Sequence, residues 1–182
     1  MIRPRHAAMA FCARFLRDAR GVAAVEFALV VPPLIACYFG LAEFCQAYMA
    51  QKRAQHTTSQ VADMVARAPT TTRAEIDAVM DVGSLIMRPF PEAPLQLRVT
   101  SITRGTDGIA RVDWSRGRGM TALSGVQTVP AGLIANGETI IMGESQYVYD
   151  SPIGRLLPGV TNFGGRHYLR PRLTDRIPCT DC

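Results

Sequence analysis

Apolar and polar positions fall into three regimes along this chain. Residues 1–20 are polar and arginine-rich, and Val22–Ala42 is then an unbroken run of 21 residues, VAAVEFALVVPPLIACYFGLA, in which Glu26 is the only charge. As a helix the run measures roughly 31 Å, which matches a bilayer core of about 30 Å. Its length therefore favours a true span over a buried core helix. Pro32 and Pro33 fall mid-run. In water they argue against a helix, whereas a membrane helix tolerates a kink where neighbours re-satisfy the freed carbonyls.

The pattern stays helical beyond the run. Residues 43–68 contain no Gly or Pro, are rich in Ala and Gln, and place apolar groups at Phe44, Tyr48, Val61, Met64 and Val65. This predicts one continuous helix leaving the bilayer and ended by Pro69. Thr72-x-x-Glu75 is a capping box for a second helix, and Ile76, Val79 and Met80 give it one apolar face. Pro89, Pro91 and Pro94 break the helical pattern and act as a linker. From Leu95 the period becomes two: Leu95, Leu97 and Val99 alternate with Gln96, Arg98 and Thr100, a strand with one wet face. Asp107-Gly108 and Asn136-Gly137 are hairpin turns, leading into strands over 109–114 and 139–149. Residues 115–132 are Gly-rich and carry no clear period, with Gly117-x-Gly119 read as loop punctuation. Residues 150–182, rich in Pro, Gly and Arg, read as an irregular tail. The expected fold is α+β: a long N-terminal helix whose first half is transmembrane, a short helix, and a small antiparallel β-sheet. The domains are a basic cytoplasmic leader over 1–21, a transmembrane helix over 22–42, its extension over 43–68, and an exported α+β domain over 69–182.

Charge orients the span. The formal net charge is +5, and Lys52 is the only lysine. Arg3, Arg5, Arg14, Arg17 and Arg20 precede the apolar run with only Asp18 opposing them. That asymmetry holds the N-terminus in the cytoplasm and sends the rest outward. No basic stripe with interleaved aromatics follows, which speaks against nucleic-acid binding. Of the five cysteines, Cys12 is in the leader, while Cys37 and Cys45 lie eight apart on one helix, too far to pair and suited to packing. Cys179 and Cys182 end the sequence as Cys-Thr-Asp-Cys. With no second ligand pair and no βαβ pattern nearby, an exported terminal disulfide is the plainer reading. His6, His56 and His167 lack the spacing of a metal pair or a neighbouring nucleophile. Asp107 and Asp113 are accounted for by turn and strand-face roles, and the Met and aromatic residues of the helices are core or lipid-facing. No enzyme, metal or other cofactor is expected.

Glu26 is the chemical oddity. A carboxylate within a membrane run costs about 2.5 to 3.5 kcal/mol and marks a functional position. It needs a cation, and the adjacent span offers none. Cleavage after Gly21 would supply one, the α-amino group of Val22. The sequence Arg20-Gly21-Val22-Ala23-Ala24-Val25-Glu26-Phe27 resembles the processing site of type IV pilin-like proteins. More narrowly, Arg14 to Ala54 is similar to the TadE-like family, pilin-like subunits of the tight-adherence (Tad, or Flp) pilus system. The resemblance rests on the arginine-glycine leader end, the Ala-Val-Glu-Phe core and the following prolines, about a quarter of the chain.

The resemblance implies that a prepilin peptidase cuts between Gly21 and Val22. It also implies that Glu26, followed by Phe27, pairs with a neighbouring subunit's new N-terminus and sets axial register. Pro32 and Pro33 would kink the helix. The implied role is a minor pilin-like subunit, or pseudopilin, in Tad pilus assembly, since major pilins of that system are very short and this chain carries a folded exterior part. Partners would be other pilin-like subunits, the inner-membrane machinery and the lipid bilayer. The implied location is the bacterial inner membrane with the C-terminal part periplasmic, and incorporation into an extracellular pilus. Three other anchors stay open from the residues alone: an uncut single span or a lipidated Cys37 in Leu34-Ile35-Ala36-Cys37, either of which would make the chain a periplasmic assembly or binding protein, and a secretory signal peptide ending at Cys45-Gln46-Ala47. The lipidated cysteine and the signal peptide conflict with the length of the leader, the interrupted core and the continuation of apolar residues beyond Cys37.

Overall fold

A computed structural model of the chain describes residues 21–151 and 162–182. The leader with Arg3, Arg5, His6, Cys12, Arg14, Arg17 and Arg20, and residues 152–161 of the expected tail, lie outside the described residues. The chain divides into two compact units, Met1–Ala42 and Glu43–Cys182. The fold is α+β, with a long apolar N-terminal helix, a short helix and a four-stranded antiparallel sheet.

Helix α1 runs from Val22 to Ala66. It stops two residues short of the expected Ala68. Its end tightens into three-residue closures, in which the Arg67 amide donates to Met64 O at 3.4 Å and the Ala68 amide to Val65 O at 3.1 Å. Pro69 disfavours helical geometry in the residue before it, which sets this limit. Helix α2 spans Arg73–Ser84 and carries the expected capping box. The Glu75 amide donates to Thr72 Oγ1 at 3.2 Å, and the Thr72 amide to Glu75 Oε2 at 2.9 Å. Ile76 and Met80 are fully buried, with Val79 packed at their edge.

Strands β1 (Leu95–Arg104), β2 (Ala110–Arg118), β3 (Thr139–Val148) and β4 (Asn162–Leu169) form a sheet in the order β2-β1-β3-β4. Asp107-Gly108 makes the β1–β2 turn, with Gly108 at a φ of +77° that favours glycine. Four expectations are corrected here. First, β2 continues through Arg118, so Gly117 belongs to a strand and the irregular stretch begins later. Second, Asn136-Gly137 turns the chain but joins no hairpin. The Gly137 amide donates to Arg104 O at 2.7 Å, and β3 is delivered to the far side of β1. Third, β1 has a wet face only over its first half. From Thr100 to Ile102 it is buried on both sides, because the 119–138 segment folds over that face. There Val129 and Ile134 pack with Ile102, Ala110, Ile140 and Met142 in a second core. Fourth, the expected irregular tail contains a strand, β4, on the edge of the sheet.

The main core lies on the opposite face. Within the folded unit α1 presents Ala47, Ala50, Ala54, Val61, Ala62 and Val65 to Leu97, Val99, Ile141 and Tyr147. Small residues let the backbones approach closely. A Cβ on Gly143 of β3 would sit 2.8 Å from Ala62 Cβ and 3.1 Å from Thr58 O, and one on Gly83 of α2 would lie 2.2 Å from Val61 Cγ2. The residues after β4 return to the start of α2. The Thr71 amide donates to Pro178 O at 3.0 Å, the Thr180 amide to Thr71 O at 3.1 Å, and the Arg73 amide to Asp181 Oδ1 at 2.7 Å. Trp114 is locked beneath them, its Nε1 donating to Ile177 O at 2.7 Å.

Arginine is spent in ion pairs. Arg116 holds Asp77 of α2 through two bonds of 2.8 and 2.7 Å. Glu144, nearly buried on β3, is flanked in register by Arg98 of β1 and Arg166 of β4. A β-bulge between Ser101 and Ile102 leaves Asp113 unpaired in the ladder. Its carboxylate accepts from Ser101 Oγ at 3.2 Å and Thr103 Oγ1 at 2.5 Å and pairs with Arg176.

Two outcomes test this packing. Gly143→Val should lower stability by about 1 to 3 kcal/mol through overpacking against α1. Gly164→Ala, with no neighbour nearer than 3.9 Å, should change little, both read by urea unfolding of the full chain in detergent. The bond from Arg116 holds the Asp77 carboxyl below its ordinary value, so this pair stabilises above the ordinary carboxylate range and the benefit fades as pH falls through it. Asp77→Asn should therefore be less stable than the parent at neutral pH, with the gap closing below about pH 4.

Candidate functional site

The residues singled out from the sequence occupy the first turns of α1. Gly21 immediately precedes the helix, and an added Cβ there would meet nothing within 4 Å. Glu26 lies one turn above Val22 on nearly the same face, about 6 Å along the axis, while Phe27 is turned about 100° away. Glu26 is exposed and has no hydrogen bond or ion pair among the described residues. The helix continues through Pro32 and Pro33. Neither proline can donate an amide, so the carbonyls of Ala28 and Leu29 lose their intrahelical partners.

Around these groups the first half of α1 is apolar on every side and uncovered. Phe27 is 68% exposed, Leu29 71%, Leu34 65% and Tyr38 70%. A helix hydrophobic all round is one that belongs among other helices or in lipid. A soluble monomer rarely exposes so large a contiguous apolar surface. By length and composition this helix can cross a membrane. Cys37 and Cys45 are both exposed. Each faces away from the small-residue stripe that contacts the sheet.

Sequence reasoning missed Glu43. It is 4% exposed in the folded unit and takes a hydrogen bond from Ser151 Oγ. Its Oε2 and the buried Tyr149 hydroxyl have no hydrogen-bond partner among the described residues. Burial, and then the charge of Glu43, raise the Tyr149 phenol above its ordinary value. The missed signal was positional. Glu43 shares a helical face with Ala47, Ala50 and Ala54, at spacings of four, three and four, so a small-residue contact face begins at the acid.

The remaining candidates belong to the folded unit. Cys179 and Cys182 are joined in a disulfide. His56 is exposed on α1, 3.5 Å from Gln60 Nε2. Asp107 is held at about 2 by its bonds to Arg111 and the Ile109 amide, a turn function. Residues able to gather a metal among those described are Cys179, Asp181 and Cys182, and the disulfide removes both thiolates from that set.

Residues 21–63 match the family model described as TadE-like protein. The match covers 43 of the chain's 182 residues and lies on Gly21 and the helix that follows it. It associates the chain with pilin-like proteins of the Tad pilus, a structural family and not an enzymatic one. No curated protein and no solved structure matches the chain.

Proposed function

We propose that this chain is a minor pilin-like subunit that works in Tad-type pilus assembly through its N-terminal helix. The observation that carries the reading is the pairing of Gly21 with Glu26 at the start of a helix that exposes apolar side chains on all sides. In this reading residues 1–21 are a leader removed by a prepilin peptidase, and residues 22–42 hold the subunit in the bacterial inner membrane. The part from Glu43 onward is the exterior unit.

Cutting between Gly21 and Val22 creates an ammonium group at the level of the membrane where Glu26 is unmatched. Two such groups in low dielectric relieve each other's desolvation only when they are close. A neighbour's N-terminus brought to Glu26 therefore fixes the axial offset between two helices. The remaining contact is apolar, along Leu29, Val30 and Pro33 on the face of Glu26, and the carbonyls freed by Pro32 and Pro33 are further acceptors for a neighbouring helix. The partners are other pilin-like subunits and the inner-membrane machinery of the system, and the subunit can be drawn from the membrane into a filament by the same pairing.

Intact-mass analysis of the membrane-bound protein should return a chain beginning at Val22. A chain beginning at Met1, or one acylated at Cys37, overturns the processing step. Glu26→Ala should insert at least as well as the parent, since the substitution removes a cost of about 2.5 to 3.5 kcal/mol. Its recovery with pilus components should fall by at least about tenfold. Undiminished recovery would dismiss the pairing role.

A further inference from the structure

The apolar surface of α1 does not end with the 21-residue run. Over the next two turns Phe44 is 54% exposed, Tyr48 50% and Met49 50%, with Cys45 exposed between them. At 100° per residue, Leu41, Cys45, Tyr48 and Lys52 fall within a narrow sector, flanked by Phe44 and Met49. The opposite face of the same turns carries Ala47, Ala50 and Ala54, already covered by the sheet. This stretch of helix thus has a small-residue face spent on its own fold and a bulky amphipathic face left outward.

We propose that the outward face formed by Phe44, Cys45, Tyr48, Met49 and Lys52 rests in the headgroup layer of the outer leaflet. This builds on the reading of residues 22–42 as a membrane span. Three observations select lipid over a second protein helix. With Val22–Ala42 filling the hydrocarbon core, the next roughly 5 to 7 Å of helix, Glu43 to about Ala47, falls in the outer headgroup layer, and the long side chains of Tyr48 and Met49 just above it lean back toward the helix N-terminus and reach it. The side-chain types are those that settle at a membrane–water boundary, where an aromatic ring with a polar tip and a long cation are both satisfied. Lys52, whose Nζ lies 5.4 Å from the centre of the Tyr48 ring, is placed to run its stem along apolar surface and reach phosphate. Helix partners in membranes instead favour small residues that allow close approach, and on these turns the small residues face the sheet.

The native cysteines provide the test. Full-length chains keeping only Cys37, only Cys45, or an added Thr106→Cys, with the other free cysteines changed to serine, are spin-labelled. They are then placed in vesicles of phosphatidylethanolamine and phosphatidylglycerol. Collision with oxygen and with a water-soluble nickel chelate reports depth. The Cys37 label should be shielded from the chelate and open to oxygen, and the Thr106→Cys label should be fully open to the chelate. The Cys45 label should fall between them. Adding Phe44→Ser and Tyr48→Ser should move the Cys45 label toward the Thr106→Cys value and leave Cys37 unchanged. A Cys45 label as open to the chelate as Thr106→Cys, with Cys37 still shielded, overturns the headgroup contact but keeps the span. A Cys45 label closed to both reagents and broadened by a second label means that another copy covers the face, and also overturns it. Chelate reaching Cys37 overturns the span itself and the contact with it.

Discussion

The architecture depends on how closely one helix can approach one sheet. Thr58 and Ala62 meet β3 at Gly143, where even a methyl group on the strand would collide with the helix. A contact this near leaves no slack in register. Rotating α1 by a single residue, about 100°, would turn the alanines off the sheet. The same rotation fixes which side chains of Glu43–Lys52 point outward, because α1 is an unbroken helix. Backbone proximity inside the folded unit therefore decides what the protein shows to its surroundings.

That constraint also explains the composition of α1. Its first half is bulky and apolar in every direction, and its second half is small and alaninic toward the sheet. Large side chains suit lipid, while small ones suit a close seat against a strand. The charge of the folded unit follows a similar economy. Glu144 is covered on both sides by Arg98 and Arg166, and Asp63 takes both Arg67 and Arg172. Among the described residues, ten arginines are thus paired with acids.

Much of this was legible in the sequence, for identifiable reasons. The apolar run, the Thr72–Glu75 box and the Asp107-Gly108 turn each carry their signal within a few residues, and each appears where it was expected. What escaped depends on distant partners. The second face of β1 is dry because Val129 and Ile134 arrive from a segment with no period of its own. Asn136-Gly137 looks locally like a hairpin, yet β3 finds its partner across β1. Strand β4 was hidden because Gly164, Gly165 and Arg166 weaken any alternation, and edge position asks little of a strand. At the site, Gly21 and Glu26 were plain from spacing. Glu43 was not, since its burial is set by Tyr149 and Ser151 more than a hundred positions later.

The return of residues 178–181 to Thr71 and Arg73 bears on how the folded unit is completed. The bond from the Arg73 amide to Asp181 joins positions 108 apart, and the Glu43–Ser151 contact spans the same separation. In a chain threaded outward from α1, the helices emerge long before the segments that clasp them. Closing such loops is slow compared with forming a helix. The newly emerged α1 would therefore stand with its alanine face bare until β1 and β3 arrive, a window in which a holding factor, or premature contact with another subunit, can intervene.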